Sequence, residues 1–188
     1  AHLLEHLAFR GTRDFPDFAA VKALERLGSS FGPHQNAYTG TDETVYQLQV
    51  PSDDPEAMDL AFQILANFAY HITARDDEVD AERPIVWEEW RQRQGAAWRN
   101  CVHEWKTLYS GSQYAVRLPI GIQETIEGTP AQRARDFYQE HYRPDRMALA
   151  VVGDVPNKRI LQTLIHKWFV ADAPSPPPSP GSSMPTPM

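Results

Sequence analysis

The residues best suited to chemistry stand at the start of the chain, Ala1-His2-Leu3-Leu4-Glu5-His6, in the pattern His-x-x-Glu-His. The run Leu7-Ala8-Phe9-Arg10 that follows suits a helix, and on a helix residues four apart share a face. His2 and His6 would then point the same way, and two imidazoles on one face can grip a single zinc ion through ring nitrogens. Glu5 would sit one turn after His2 and beside His6, placed to polarise a metal-bound water without being a ligand. With 7 His in 188 residues, chance produces the pattern in only ~1–2% of such chains. The competing reading is a plain helix with two surface histidines and a solvated glutamate, and a third ligand decides between the two.

A catalytic zinc usually takes three protein ligands and keeps one position open. The candidates lie in Glu82-Arg83-Pro84-Ile85-Val86-Trp87-Glu88-Glu89-Trp90-Arg91. Glu82 and Glu89 are two helical turns apart and share a face, whereas Glu88 points about 100° away from Glu89. One of the aligned pair could bind metal while the other supports a ligand histidine. An acidic solvated helix face is the bland alternative.

The elements that must position these groups follow from periodicity and breakers. Residues 1–10 read as the metal helix, stopped by Gly11. Residues 17–27 (DFAAVKALERL) read as a second amphipathic helix closed by Gly28. Ala37-Tyr38-Thr39 and residues 44–50 read as strands joined by a turn at Gly40-Thr41-Asp42, the second strand alternating apolar and polar. Residues 55–70 form a buried helix with Pro at its first position. Residues 76–94 are polar and acidic, in one helix or two because Pro84 interrupts them. Helix continues over 98–109, 111–128 is irregular, and 130–142 is helical. Residues 147–152 (MALAVV) read as a short buried strand, and 156–169 as a last helix. Strands and helices mix without strict alternation, which favours an α+β fold.

Composition narrows the function. One domain of ordinary size is expected over residues 1–172, and 41% hydrophobic with 23% charged residues is globular. A net charge of −7 argues against nucleic acid as a partner, since phosphate binding wants a basic surface. No apolar run reaches the length of a membrane span. Cys101 is the single cysteine, so no internal disulfide forms, and it reads as a small packed side chain. Residues 173–188 hold 7 Pro in 16 and read as an extended linker or tail. The chain begins inside a motif at Ala1 and reads as a fragment, which leaves its compartment open, with an organelle or the periplasm as the guess. His34, His71, His103, His141 and His166 lack ligand spacing.

Four segments, AHLLEHLAFRGT, LERLGSSFGPHQNAYTGTDETVYQLQVPSD, ERPIVWEEWR and YAVRLPIG, resemble the N-terminal domain of the pitrilysin/insulinase (inverzincin) family of zinc metallopeptidases. The likeness is closest to its PqqL-like branch and covers most of residues 1–155. It implies helices packed on one mostly antiparallel sheet, a single half of a two-domain clamshell. It implies His2 and His6 as zinc ligands, Glu5 as general base, and Glu89 as third ligand, because the family's last motif ends with the ligand as second acid of its Glu-Glu pair. Glu82 would be the supporting acid. His6 and Glu89 are 83 residues apart, several more than the family's common spacing, and the extra residues fit a loop around 31–35. A rigid count would choose Glu82 as ligand; the local motif favours Glu89.

By the same resemblance, Asn36, Ala37 and Tyr38 match the segment on which the family binds substrate as an added strand. The implied activity is zinc-dependent endopeptidase cleavage of a peptide or unfolded protein by water activated on zinc. It also implies a C-terminal homologous half or partner subunit. The rivals are a non-catalytic structural or assembly subunit of the same fold, a fragment inactive without its second half, and a helical interaction module with a chance motif.

Overall fold

A computed structural model of the chain describes residues 1–154, 157–171 and 173. Helix α1 (His2–Arg10) buries Leu4, Leu7, Ala8 and Phe9, the stripe expected of a 3.6-residue period. α2 (Ala19–Arg26) starts two residues later than its sequence pattern suggests. Asp17 and Phe18 hold φ of 50° and 60°, a left-handed corner that no helix can include. α3 (Pro55–Tyr70) keeps its predicted limits. The Asp54 carboxylate accepts the N–H groups of Glu56 and Ala57 at 2.9 and 3.2 Å, satisfying two orphan donors of the first turn.

The acidic segment is one helix, α4 (Asp76–Gln92), with Pro84 inside it. Pro84 removes the partner of the Asp80 carbonyl, but both residues are exposed, so water can take that place and the helix runs on. A hairpin of two strands completes the frame of the site. β1 (Gln35–Thr39) pairs antiparallel with β2 (Thr44–Leu48), with Ala37 opposite Tyr46 and Thr39 opposite Thr44. A two-stranded hairpin is marginal on its own. This one leans on α1 and sends Tyr46 against Phe9 and Phe68, with ring centroids 6.2 and 5.2 Å away.

The remaining helices are α5 (Ala96–Leu108), α6 (Gln123–Gly128), α7 (Ala131–His141) and α8 (Lys158–Ile165), the last running into a π-helical turn, His166–Val170. The main core joins Leu4, Leu7, Leu24, Ile64, Phe68 and Val79. Full burial of such side chains contributes about 1.5–3 kcal/mol each. A smaller cluster of Met58, Phe62 and Leu164 fixes α8 to α3. The described residues form an α+β architecture, with helices around one small antiparallel sheet. Among the described residues no helix is long and apolar enough to cross a membrane.

Three expectations are corrected. Residues 147–152 form no strand; Leu149 and Val151 are exposed and Val152 is 97% exposed. Apolar β-formers make a strand only beside a partner, and no described strand lies against them. Residues 111–128 are not wholly irregular, since they contain a 3₁₀ turn at Gln113–Ala115 and the whole of α6. Cys101 is exposed, because α5 packs against little beyond that turn and buries none of its residues. The Pro-rich stretch lies outside the described residues except for Ala173.

One contact ties the end of α1 to the start of α4. The Glu78 carboxylate accepts from Thr73 Oγ1 at 2.6 Å and from the Arg75 N–H at 2.8 Å, and the Thr73 backbone N–H donates to the Gly11 carbonyl at 3.3 Å. A Cβ on Gly11 would run into the Glu78 carboxylate. Gly11→Ala is therefore expected to destabilise the chain by about 1–3 kcal/mol, read as a Tm lowered by several degrees. Gly128→Ala, where a Cβ meets open space, should leave Tm near that of the parent.

Candidate metal centre

α1 and α4 lie side by side, and the polar stripe of one meets the polar stripe of the other. His2 and His6, one turn apart, place their ring centroids 4.8 Å apart with the planes at 80°. Glu89 reaches both: its Oε2 is 3.4 Å from His2 Nε2 and its Oε1 is 3.6 Å from His6 Nε2. One donor atom from each of His2, His6 and Glu89 lies within 4.8 Å of the others. Glu82 stands on the far side of His6, its Oε2 3.4 Å from Nδ1 and its Oε1 accepting from Arg10 at 2.7 Å. Glu88 turns outward and pairs with Arg91 and Gln92.

The site's charges are set by opposing pulls. Burial, then the neighbouring charges of His6 and Arg93, lowers the His2 imidazolium to about 4, so its ring is neutral at pH 7 and has a lone pair to give. Burial also pulls His6 down, but its bond to Glu82 and the charges of Glu89, Glu82 and Glu5 outweigh it and hold the pKa above its usual value. Burial pushes Glu82 up, and His6 and Arg10 overcome it, leaving the carboxyl below its usual range. Ionised Glu82 facing Nδ1 holds a proton on that nitrogen, which leaves the Nε2 lone pair toward Glu89. Glu5 is raised, chiefly by burial, against a hydrogen bond from Thr39 and the charge of His6. A carboxylate raised toward neutrality is a better proton acceptor.

The donor set suits a divalent metal with nitrogen and oxygen ligands. Glu89 Oε2 and His2 Nδ1 are buried and make no hydrogen bond. Unsatisfied buried polar atoms are uncommon, and a cation between these side chains would satisfy the carboxylate oxygen.

Asn36, Ala37 and Tyr38 lie on β1, beside α1. Tyr38 is 48% exposed and its hydroxyl meets Glu43 Oε1 at 3.2 Å. β1 pairs with β2 on one edge, and no other described strand pairs with it. The sequence reading overlooked three groups here. Arg10 stands four residues after His6, so helical spacing could have found it. Arg93 lies four after Glu89, its guanidinium 4.0 Å from Glu89 Oε2. Thr39, which donates to Glu5 Oε2 at 2.5 Å, comes from a different element and left no local signal.

The sequence model of the family described as "Insulinase (Peptidase family M16)" matches residues 1–115, and that of "Peptidase M16 inactive domain" matches residues 130–183. A relative from Arabidopsis thaliana named "Zinc protease PQQL-like" is 41% identical over 169 residues, covering 90% of this chain and 18% of the relative. Cytochrome b-c1 complex subunit 1 of Rattus norvegicus is 31% identical over 163 residues, covering 85% of this chain and 32% of the relative. The solved first half of the periplasmic protease PqqL from Escherichia coli matches with a TM-score of 0.84 at 34% identity, covering 89% of this chain and 36% of that one. The chain thus spans about a fifth of the Arabidopsis relative and a third of the rat one.

The two acids stand differently, Glu89 facing both histidines and Glu82 the far nitrogen of one. Glu89→Ala should abolish binding of one equivalent of divalent zinc in a calorimetric titration. Glu82→Ala should keep the stoichiometry and weaken affinity by about 10–100-fold, as loss of a ligand's supporting partner does. The reverse ranking would exchange the two assignments.

Proposed function

The chain belongs to the insulinase family, peptidase family M16, and from that premise we propose that it is a zinc-dependent metallopeptidase domain with Glu5 as general base. The observation that carries the reading is the convergence of His2, His6 and Glu89 around a buried carboxylate oxygen that has no hydrogen-bond partner. His2, His6 and Glu89 would hold the zinc, with Glu82 bracing His6. When bound there, zinc supplies Lewis acidity that lowers the pKa of water and polarises a carbonyl.

The protein's own groups do the rest. Glu5 takes a proton from the attacking water on a carboxylate oxygen and gives it to the leaving amine as the peptide bond breaks. Thr39 holds the other oxygen. An extended peptide adds to the open edge of β1 along Asn36, Ala37 and Tyr38, a mode that reads backbone more than side chain. Unfolded proteins and peptides are then the substrate class.

The relatives are far longer than this chain, so a homologous second half or a partner chain would complete the substrate chamber. Of the periplasm and an organelle as compartments, the solved relative described as periplasmic favours the periplasm.

The likeness to cytochrome b-c1 complex subunit 1 favours a second reading, a structural subunit on the same fold. The intact set of His2, Glu5, His6 and Glu89 weighs against it.

Glu5→Gln should bind zinc as the parent does and lose cleavage of a quenched fluorescent peptide by about 10²–10⁴-fold. A glutamine variant cleaving at the parent rate would remove Glu5 from the mechanism. Parent chain that binds zinc but never cleaves, even with a second half supplied, would favour the structural subunit.

A further inference from the structure

Thr39 closes β1 and stands opposite Thr44, the first residue of β2. Its hydroxyl donates to Glu5 Oε2 at 2.5 Å and lies 3.3 Å from Thr44 Oγ1. Tyr142 caps α7. The Tyr142 hydroxyl is 2.9 Å from that of Tyr46. Two hydroxyls of the hairpin thus stand behind one carboxylate oxygen, and a bonded tyrosine pair ties β2 to the end of α7.

The direction of these bonds follows from proton count. A hydroxyl carries one proton, and an ionised carboxylate only accepts. Thr39 spends its proton on Glu5, so Thr44 must donate to Thr39. Thr39 is thereby polarised as a donor. The tyrosine pair is fixed in the core. The Tyr46 ring packs on Phe9 and Phe68. The Tyr142 ring lies 4.8 Å from that of Tyr138, whose hydroxyl donates to the Phe68 carbonyl and accepts from the Ile72 N–H, both at 3.1 Å.

A glutamate's terminal torsion is soft and roughly two-fold, so an unheld Glu5 would present its oxygens in many directions. We propose that the hydroxyl of Thr39, backed by that of Thr44, is a positioning device for Glu5, on a hairpin that the Tyr46–Tyr142 bond anchors to the end of α7. It grips Oε2 and leaves Oε1 for the reacting proton. Thr39 and Thr44 are positioning residues, since Glu5 alone meets the reaction. The inference rests on Glu5 being the general base.

The test compares Thr39→Val, Thr39→Ser, Tyr142→Phe and Glu5→Gln in the zinc-loaded chain. Two readouts are taken: steady-state cleavage of a quenched fluorescent peptide, and the Glu5 side chain in crystal structures. Loss of a hydrogen bond to a charged group predicts kcat lowered by about 10–100-fold in Thr39→Val, with KM and zinc content unchanged. Tyr142→Phe should show a smaller loss in kcat alone. Thr39→Ser, which restores the donor, should recover most of the rate. Glu5 should be in one rotamer in the parent and in Thr39→Ser, and spread over several in Thr39→Val. Parent-like kcat and a single Glu5 rotamer in both Thr39→Val and Tyr142→Phe, beside an inactive Glu5→Gln, would overturn the positioning device and leave the base intact. An active Glu5→Gln would overturn the base itself. In a chain without measurable cleavage the rotamers decide alone.

Discussion

The rest of the site depends on one buried charge. Glu82 is 3% exposed, and a carboxylate so placed is tolerable only when paired and hydrogen-bonded. Arg10 and His6 supply the partners, both from α1 and four residues apart, so α1 can meet α4 in only one register. That register carries Glu89, two turns further along α4, to the other nitrogen of His6 and to His2. A slide of α1 by one turn would cost Glu82 one of these two partners and weaken the pairing of a buried charge. The structural ion pair and the candidate ligand set are thus the same constraint seen from two ends of one histidine ring.

The site was legible where one element carried its own logic. Helical spacing alone put His2 and His6 on one face, aligned Glu82 with Glu89, and turned Glu88 away. It could not say which aligned acid lies nearer the imidazoles, because that depends on how two helices cross. The local Glu-Glu pair pointed to Glu89, and in the structure Glu89 faces both rings while Glu82 faces the back of one. Pro84 looked like a break between the two acids. It is harmless because it lies on the exposed face of α4, a fact of burial that the sequence shows only by its neighbours.

What was not legible came from contacts between distant segments. Residues 147–152 have every local mark of a buried strand, yet a strand is defined by its neighbour, and none is present among the described residues. Cys101 sits in a Trp-rich stretch that suggests packing, but α5 finds little to pack against. Thr39 and Tyr142 are ordinary in sequence. They gain meaning only because a hairpin and a helix end, about a hundred residues apart in the chain, converge behind Glu5.

The same hairpin carries two tasks in the proposed reaction. Asn36, Ala37 and Tyr38 form the edge that would take a peptide as a new strand, and Thr39, the next residue along, holds the base. A strand that gains a partner becomes stiffer, since each new backbone bond restrains the φ and ψ of the residue that makes it. Peptide docking on β1 would therefore restrain Thr39, and through its hydroxyl the orientation of Glu5, at the moment when the base is needed. Binding energy from parts of the substrate remote from the scissile bond would then serve to order a catalytic group rather than only to hold the peptide. A short hydrolysable peptide that fails to cover β1 should accordingly lose more in kcat than in KM.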